Sequence, residues 1–401
     1  MKVLQINSVC GVGSTGRIAT TLADTMKSAG IEPYIAYGIG ESNYPDSFCF
    51  SSFWQVKAHV LQTRLQGKHA FYSKAATRRL VTYIEQLKPD VIHLHNLHGH
   101  YLNVEILFHY LATANIPVVW TLHDCWAFTG HCAHFDFVGC DKWRTGCHRC
   151  PQRRSYPISW LFDRSKESYH DKHALFTSIK QMTIVTPSEW LAQLTRQSFL
   201  SKYPVKVINN AIDLGAFYPV NGDRIRRKLQ LEDKFVILGV ATGFGVRKGL
   251  KYFIHLAEQV DEKAQIVLVG VNDDDRRHLP SGIIAIDRTE SVTELAEFYS
   301  MADVFVNPTM EDNFPTVNIE ALACGTPVVT FDTGGSPETI DAETGIIVPI
   351  GDLAALHQAV NKIRILGKDH YSNRCVIRAA AKFSKAEMFM EYISLYRSLL
   401  R

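Results

Sequence analysis

The chain has 401 residues, a length that predicts two domains rather than one hydrophobic core. Its 46% hydrophobic and 21% charged residues are ordinary for a globular protein, and a net charge of +3 gives no general reason to expect nucleic acid as a partner. There is no apolar run of about 18 residues and no signal-peptide core, so we expect a cytoplasmic protein without a membrane span, whose cysteines are reduced.

The first half of the chain alternates short apolar strands with helical segments. The strands are predicted in KVLQINS, EPYIAYG, DVIHLHN, PVVWTLHD and QMTIVT. Helical segments lie between them, among them GRIATTLADTMKSAG and LNVEILFHYLATAN. This alternation predicts a buried parallel sheet. Residues 51–84 contain six basic residues and no acid, interleaved with aromatic residues. They form either a solvated helix pair or a surface that docks on anionic lipid headgroups.

A glycine-rich loop follows the first strand, in CGVGSTGRI. Gly11, Gly13 and Gly16 have the spacing of a dinucleotide-binding loop, but the second strand ends in Tyr-Gly and lacks the acid that would bind a ribose. A nicotinamide-dependent oxidoreductase is therefore a weak alternative. Arg17, at the predicted helix start, is a candidate contact for an anion.

Histidines follow two of the predicted strands. His95, Asn96 and His98 come after DVIHL, and His123 with Asp124 comes after VVWTL. Ligands of parallel sheets bind beyond the carboxyl ends of the strands, so these residues are candidates for a binding site.

Four cysteines crowd into the segment that follows, residues 125–156: Cys132, Cys140, Cys147 and Cys150. In a reducing compartment such a set favours a closed, structural zinc site over disulfides, although the spacing is irregular and free thiols or disulfides stay open.

The turn-rich link PVKVINNAIDLGAFYPVNG, residues 204–222, precedes a second series of strands and helices. In it, MEDNFPTVNIEALACGTPVV places acids on both sides of a helix start. Pro315 suits the first helical position, with Asn313 or Asp312 as the cap. Free amides at that end attract phosphate, and Glu320 can accept hydrogen bonds from the vicinal diol of a ribose. The element therefore suits a nucleotide-sugar, with Arg247 and Lys248 as counter-charges.

Several stretches resemble GT-B glycosyltransferases of family 4 (group 1) in the order in which they occur. They are VTPSEWLAQL, INNAIDLGAFYP, RKGLKYFIHLAE, EDNFPTVNIEALACGTPVV and GGSPETI. LHNLHGHYLN, TLHDCWAFTGHCAH and CDKWRTGCHRCP resemble the bacterial exopolysaccharide branch, which includes colanic-acid-type transferases. The family has two acids with seven residues between them. Asp312 and Glu320 meet that spacing, whereas Glu311 needs one extra residue, so the first acid is either of the two. Gly243 stands where the family usually has an arginine.

The resemblance implies an α/β fold of two doubly wound, Rossmann-like parallel-sheet domains that face a cleft. The expected domains are residues 1–206 for the acceptor, residues 207–383 for the donor, and a helix at 384–401 that crosses back. The implied catalytic residues are His123, Arg247, Lys248, Glu311 and Asp312. The implied donor-binding residues are Gly13, Gly243, Asn313, Phe314, Pro315, Thr316, Val317 and Glu320. The implied acceptor-binding residues are Gly16, Arg17, His95, Asn96 and His98.

The implied reaction is the retaining transfer of a sugar from a UDP- or GDP-sugar to a lipid-linked saccharide, in the synthesis of a bacterial surface polysaccharide. We expect no catalytic cofactor or metal, and we expect a peripheral association with the inner face of the cytoplasmic membrane. A GT-B nucleotide-sugar epimerase is the nearest alternative.

Overall fold

The computed structural model describes residues 1–401 and divides into two compact units. The first unit comprises Met1–Ile208 together with Phe389–Arg401, and the second comprises Asn209–Met388. None of the helices combines the length and the apolar character needed to cross a bilayer.

The first unit is built on a seven-stranded sheet in which every pairing is parallel. Its strands are β1 Lys2–Asn7, β2 Glu32–Tyr37, β3 Ser47–Cys49, β4 Val91–Leu94, β5 Val118–Thr121, β6 Met182–Thr186 and β7 Val205–Val207. Its helices are α1 Gly13–Ser28, α2 Phe53–Gln66, α3 Lys74–Leu87, α4 Val104–Thr113, α5 Ser165–Phe176 and α6 Glu189–Gln197. All residues of β4, β5 and β6 are buried, as expected for strands covered on both faces.

The strand order of this sheet is β3-β2-β1-β4-β5-β6-β7. The chain runs outward from β1 to β3 and then returns to the other side of β1 with β4. The point between β1 and β4 is where the strand order reverses, and open α/β sheets bind ligands beyond the carboxyl ends of the strands at such a point.

The second unit is built on a six-stranded parallel sheet. Its strands are β8 Phe235–Val240, β9 Ala264–Val269, β10 Ile283–Ile286, β11 Val304–Asn307, β12 Val328–Phe331 and β13 Gly345–Val348. Its helices are α7 Asp223–Leu229, α8 Leu250–Gln259, α9 Asp273–Arg276, α10 Val292–Met301, α11 Thr316–Ala323, α12 Leu353–Leu366 and α13 Asp369–Phe383. The order β10-β9-β8-β11-β12-β13 reverses between β8 and β11.

The last helix, α14 Lys385–Leu399, begins in the second unit, and its residues from Phe389 onward belong to the first. Within the first unit it contributes two buried tyrosines that contact the central strands β4 and β5. The Tyr396 hydroxyl lies 2.7 Å from Nδ1 of His93, and the Tyr392 hydroxyl lies 3.1 Å from Oγ1 of Thr121.

The prediction of two doubly wound parallel sheets is confirmed. Two strands were missed. The first, β3, has only three residues and follows an irregular segment. The second, β7, lies inside the stretch predicted as the link, where three partly buried residues pair with β6. Both are edge strands, which have one neighbour each and therefore carry a weaker apolar signal.

Candidate active site

The switch point of the second unit brings together two loops that carry most of the predicted donor-site residues. Residues 241–249 follow β8, and residues 308–315 follow β11. Because β8 and β11 are neighbours in the sheet, both loops leave the same edge at the same place. Three hydrogen bonds then join them.

Backbone contacts hold Arg247 and Lys248 beside the acidic loop. The carbonyl of Arg247 accepts from the amide of Met310 at 2.9 Å and from the hydroxyl of Thr309 at 3.3 Å. Gly249 has φ +77°, and a Cβ there would lie 2.1 Å from the carbonyl oxygen of Pro308, so no side chain fits. The close approach of the two loops therefore requires this glycine.

One of the two candidate first acids is paired with a lysine. Nζ of Lys248 lies 2.6 Å from Oδ2 of Asp312, and both side chains are partly exposed. Glu311, by contrast, is only 4% exposed. Asp312 thus has both the family spacing from Glu320 and a position beside a cation.

A second glycine, which the sequence did not single out, shapes this acidic loop. Gly334 has φ +55°, and a Cβ there would lie 1.8 Å from the carbonyl oxygen of Asp312. The amide of Gly335 donates to the same carbonyl at 3.2 Å. The loop after β12 therefore packs against the backbone of Asp312 and holds it in place.

Helix α11 begins one residue later than the sequence predicted. Pro315 has ψ 112° and is the N-cap, while Thr316 is the first helical residue. The predicted cap by Asn313 or Asp312 is wrong, because no side chain caps this helix. Asn313 and Phe314 are buried instead, and the ring of Phe314 packs on Phe383 at 5.7 Å. The first-turn residues Thr316 and Val317 remain partly exposed.

Glu320 lies one turn further along α11 and is held by a buried tyrosine. The hydroxyl of Tyr299, a residue with no exposed surface, donates to Oε2 of Glu320 at 2.8 Å. Burial, followed by the charge of Glu320, raises the pKa of Tyr299, so the phenol stays a donor. A buried polar network around Asn318, which bonds Asn307 and Thr339 at 2.8 and 2.9 Å, anchors the same helix to the sheet.

The loop that contains Gly243 is held by an acid that the sequence did not single out. Asp275, which is 5% exposed, accepts from the amide of Phe244 at 2.8 Å and from that of Gly245 at 3.0 Å. Gly243 itself has φ +84°, a conformation that favours glycine. The turn therefore favours glycine at position 243, where the resemblance would lead one to expect an arginine.

In the first unit, the loop after β1 leads into α1 through the predicted glycines. Gly13 has φ +63°, and no side chain caps α1. Gly16 is buried, and a Cβ there would lie 3.2 Å from the amide nitrogen of Gly11. Arg17 is exposed in the first turn. The amide of Asn96, after β4, donates to the side-chain oxygen of Asn7 at 3.3 Å and so ties the two loops at this switch point.

His95 and His123 lie side by side in a chain of hydrogen bonds that fixes their tautomers. The Gln5 amide donates to the carbonyl of Ala19 at 2.9 Å, so its oxygen faces Nε2 of His95 at 2.9 Å and accepts from it. The Nδ1 atom of His95 therefore accepts from Nε2 of His123 at 3.3 Å. Burial lowers the pKa of His123 to about 4 and lowers the pKa of His95 well below its ordinary value. Both rings are neutral at pH 7.

Beside them, His98 joins Asp124 to the cysteine-rich segment. Its Nε2 donates to Oδ2 of Asp124 at 2.6 Å, and its Nδ1 lies 2.8 Å from the hydroxyl of Tyr156. Burial alone would raise the pKa of Asp124, but the charge and hydrogen bond of His98 lower it on balance. The residues after β4 and β5 line one small pocket that includes Asn96 and Trp126. Gln5 and Tyr156 were missed; a glutamine inside an otherwise apolar strand was the signal for the first.

The four cysteines line one pocket with Trp143, all as free thiols. The sulfur of Cys147 accepts from the amide of Gly130 at 3.1 Å. Nearby, the ammonium of Lys172 is buried and donates to the carbonyls of Trp126 and Thr129 at 2.7 and 3.0 Å. No set of three or more His, Cys, Asp or Glu side chains in the structure has the geometry of a metal site.

Residues 15–216 match the profile described as Glycosyltransferase Family 4. The chain belongs to glycosyltransferase family 4. Residues 233–364 match a second profile, Glycosyl transferases group 1. The matches cover β4 and β5 with their histidines in one unit, and both loops of the switch point in the other.

Curated relatives and solved structures agree with this membership. The putative colanic acid biosynthesis glycosyl transferase WcaC of Escherichia coli is 24% identical over the full length of both chains. A Campylobacter jejuni enzyme, N,N'-diacetylbacillosaminyl-diphospho-undecaprenol alpha-1,3-N-acetylgalactosaminyltransferase, is 26% identical over 52% of this chain and 58% of its own. The structure of Anabaena Alr3699/HepE in complex with UDP superposes with a TM-score of 0.72 at 14% identity, over 99% of this chain and 100% of the other, and shows the shared fold.

Proposed function

We propose that this family 4 glycosyltransferase moves a sugar, with retention of its anomeric configuration, from a nucleoside diphosphate to a lipid-linked saccharide during synthesis of a bacterial surface polysaccharide. The observation that carries the proposal is the meeting of two loops at the switch point of the second unit. There, a lysine, an acid and the uncapped start of α11 lie together at one edge of the sheet.

The second unit supplies the donor site in this proposal. The amides at the start of α11 and the cations Arg247 and Lys248 hold the diphosphate, since a helix amino end and adjacent cations both favour anions. Glu320, steadied by Tyr299, accepts from the ribose diol. Asp312 is the first acid of the family pair and accepts from a hydroxyl of the donor sugar. The neighbouring Glu311 is the other candidate for this role.

The reaction breaks the bond between the anomeric carbon and the β-phosphate oxygen. The acceptor hydroxyl oxygen bonds to that carbon on the same face, and the hydroxyl proton passes to the departing phosphate. Lys248, Arg247 and the α11 amides stabilise the charge that develops on the leaving group, which supplies most of the rate. No step requires a metal.

The first unit supplies the acceptor site and one contact to the donor sugar in this proposal. His123 is neutral and commits its Nε2 proton to His95, so it acts by hydrogen bonding and position rather than as a charged acid. The acceptor side is lined by Gly16, Arg17, His95, Asn96 and His98, and Gly13 belongs to the donor side.

Three likenesses support the choice of substrates. WcaC is named for colanic acid biosynthesis, and the Campylobacter enzyme is named for a diphospho-undecaprenol acceptor. The Anabaena protein was solved with UDP and with UDP-glucose. A lipid-linked acceptor implies a peripheral position at the inner face of the cytoplasmic membrane.

The test is a panel of UDP- and GDP-sugars screened for thermal stabilisation, because a bound ligand raises the melting temperature. The stabilising donor is then incubated with undecaprenyl-diphosphate saccharides, and the anomeric configuration of the product is read by NMR. We expect transfer with retention that EDTA does not abolish. Release or isomerisation of the nucleotide-sugar with no glycosylated acceptor would favour the epimerase instead.

A further inference from the structure

Helix α2 buries two polar residues and exposes four large apolar ones, although Val56 also packs against the core. Its inward side carries His59 and Thr63, which are buried and contact Ser73 and His100 through their polar atoms. Its outward side exposes large apolar residues at helical spacing: Phe53 (65% exposed), Trp54 (77%), Leu61 (53%) and Leu65 (38%). A surface helix of a globular protein normally shows the opposite arrangement, so this face is suited to an apolar partner.

A distant segment extends this apolar face. Trp160, Leu161 and Phe162 are 50%, 63% and 51% exposed. The amide of Trp160 donates to the carbonyl of Arg64 at 2.7 Å, and the guanidinium of Arg64 lies 5.2 Å from the indole centroid. The segment is therefore fixed to the end of α2.

A glycine permits this contact. Gly67 ends α2 with φ +74°, and a Cβ there would lie 2.6 Å from the carbonyl oxygen of Phe162. The exposed apolar side chains of α2 and of residues 160–162 thus lie on two adjoining segments, and we call these seven residues the aromatic face.

Two lysines lie beside the aromatic face: the ammonium of Lys57 is 5.2 Å from the ring centroid of Phe53, and Lys74 lines a groove with Phe162. Residues 51–84 contain no acid. Lys57, Lys74 and Arg78 are exposed and have no carboxylate within ion-pair distance. Lys68, by contrast, pairs with Asp171 at 2.6 Å, and Arg164 pairs with Glu167 at 3.0 Å. Glu105, which is exposed and makes no ion pair, lines the same groove as Lys74 and Phe162, so the unpaired charge at this rim is positive only on balance.

We propose that the aromatic face is the site at which the chain docks on an anionic bilayer surface. Tryptophan and leucine suit the headgroup and upper acyl region, while lysine stems lie along the apolar surface and place their ammonium groups among the phosphates. A protein partner or a second copy would need acidic groups to match this rim, whereas an anionic lipid surface supplies them at every point. The inference rests on the proposed function, because a lipid-linked acceptor places the reaction at a bilayer.

The experiment measures sedimentation of the full chain with phosphatidylcholine vesicles, with and without phosphatidylglycerol. We expect binding only when the anionic lipid is present, and release at high salt. The double variant Trp54→Ser/Leu161→Ser and the double variant Lys57→Glu/Lys74→Glu should each lower the partition coefficient by about tenfold or more.

Two matched controls lie outside the aromatic face. Ile365→Ser removes an apolar side chain that is 85% exposed, and Lys251→Glu reverses an exposed lysine on α8. Both should bind vesicles as the wild type does. Wild-type protein that stays in solution, double variants that bind normally, or equal binding to neutral vesicles would each overturn the proposal. So would a concentration-dependent dimer that the Trp54→Ser/Leu161→Ser change abolishes.

Donor binding separates this inference from the proposed function. Both double variants should keep the wild-type thermal stabilisation by the donor sugar, since the aromatic face lies in the first unit and the donor loops in the second. A chain that binds vesicles but none of the UDP- and GDP-sugars would refute the proposed transferase function and leave the proposed docking surface supported.

Discussion

Changing Glu320 to Gln tests the donor site most directly. The side chain keeps its size, and a glutamine oxygen can still accept from the hydroxyl of Tyr299, which lies 2.8 Å from the carboxylate. What is lost is the negative charge. We therefore expect folding to persist, with a change in the free energy of unfolding below about 1 kcal/mol.

The loss of donor affinity follows from the two hydrogen bonds that the carboxylate would accept from a ribose diol. A hydrogen bond to a charged group contributes about 1.5–3 kcal/mol and a neutral one about 0.5–1.5 kcal/mol. Two bonds therefore lose about 2–3 kcal/mol in Glu320→Gln, so the Kd for the stabilising nucleotide should rise by about 30- to 150-fold.

The assay is isothermal titration with UDP and with GDP, alongside thermal melts. Tyr299→Phe is the matched control, because it removes the hydrogen bond to Glu320 but leaves the carboxylate. It should destabilise the fold by about 1 kcal/mol and change the Kd by less than about threefold. If Glu320→Gln binds nucleotide as tightly as the wild type, the assignment of the diol is refuted. If Tyr299→Phe weakens binding equally, the position of Glu320 rather than its charge is what matters.

Three further predictions concern the leaving group, the histidines and the cysteines. Lys248→Met should lower kcat/KM by about 10²- to 10³-fold, while Lys251→Met on the surface of α8 should not, and equal rates would remove Lys248 from the mechanism. Burial lowers the pKa of His123 to about 4 and that of His93 to about 3, so the unfolded chain, with histidine pKa values near 6.5, takes up protons first as the pH falls. Each of these two histidines should therefore lower the free energy of unfolding by about 2 kcal/mol between pH 7 and pH 5. Urea unfolding that gives the same free energy at both pH values would contradict this. The structural zinc predicted from the four cysteines requires their thiolates to close on one ion, an arrangement that the structure does not show. Metal analysis that finds about one zinc per chain would confirm this prediction, and a folded, metal-free chain would disprove it.

The sequence was sufficient for the fold and the family. Alternating apolar strands and helices indicated two parallel sheets, because each strand is buried on both faces and leaves a strong local signal. The resembling stretches led to the family that the profile match confirms. The roles assigned to the individual site residues stay predictions.

Tertiary structure decided what local pattern could not. Strand order brings together residues that lie far apart in the chain. It allows Lys248 to pair with Asp312 and Gly334 to pack against the same loop. It also places Gln5 where it sets the tautomers of His95 and His123. The start of α11 moved by one residue because Pro315 adopts an extended ψ within its loop. The aromatic face likewise exists only because residues 160–162 fold against α2. Sequence periodicity shows that a helix has two faces, but only packing shows which of them faces solvent.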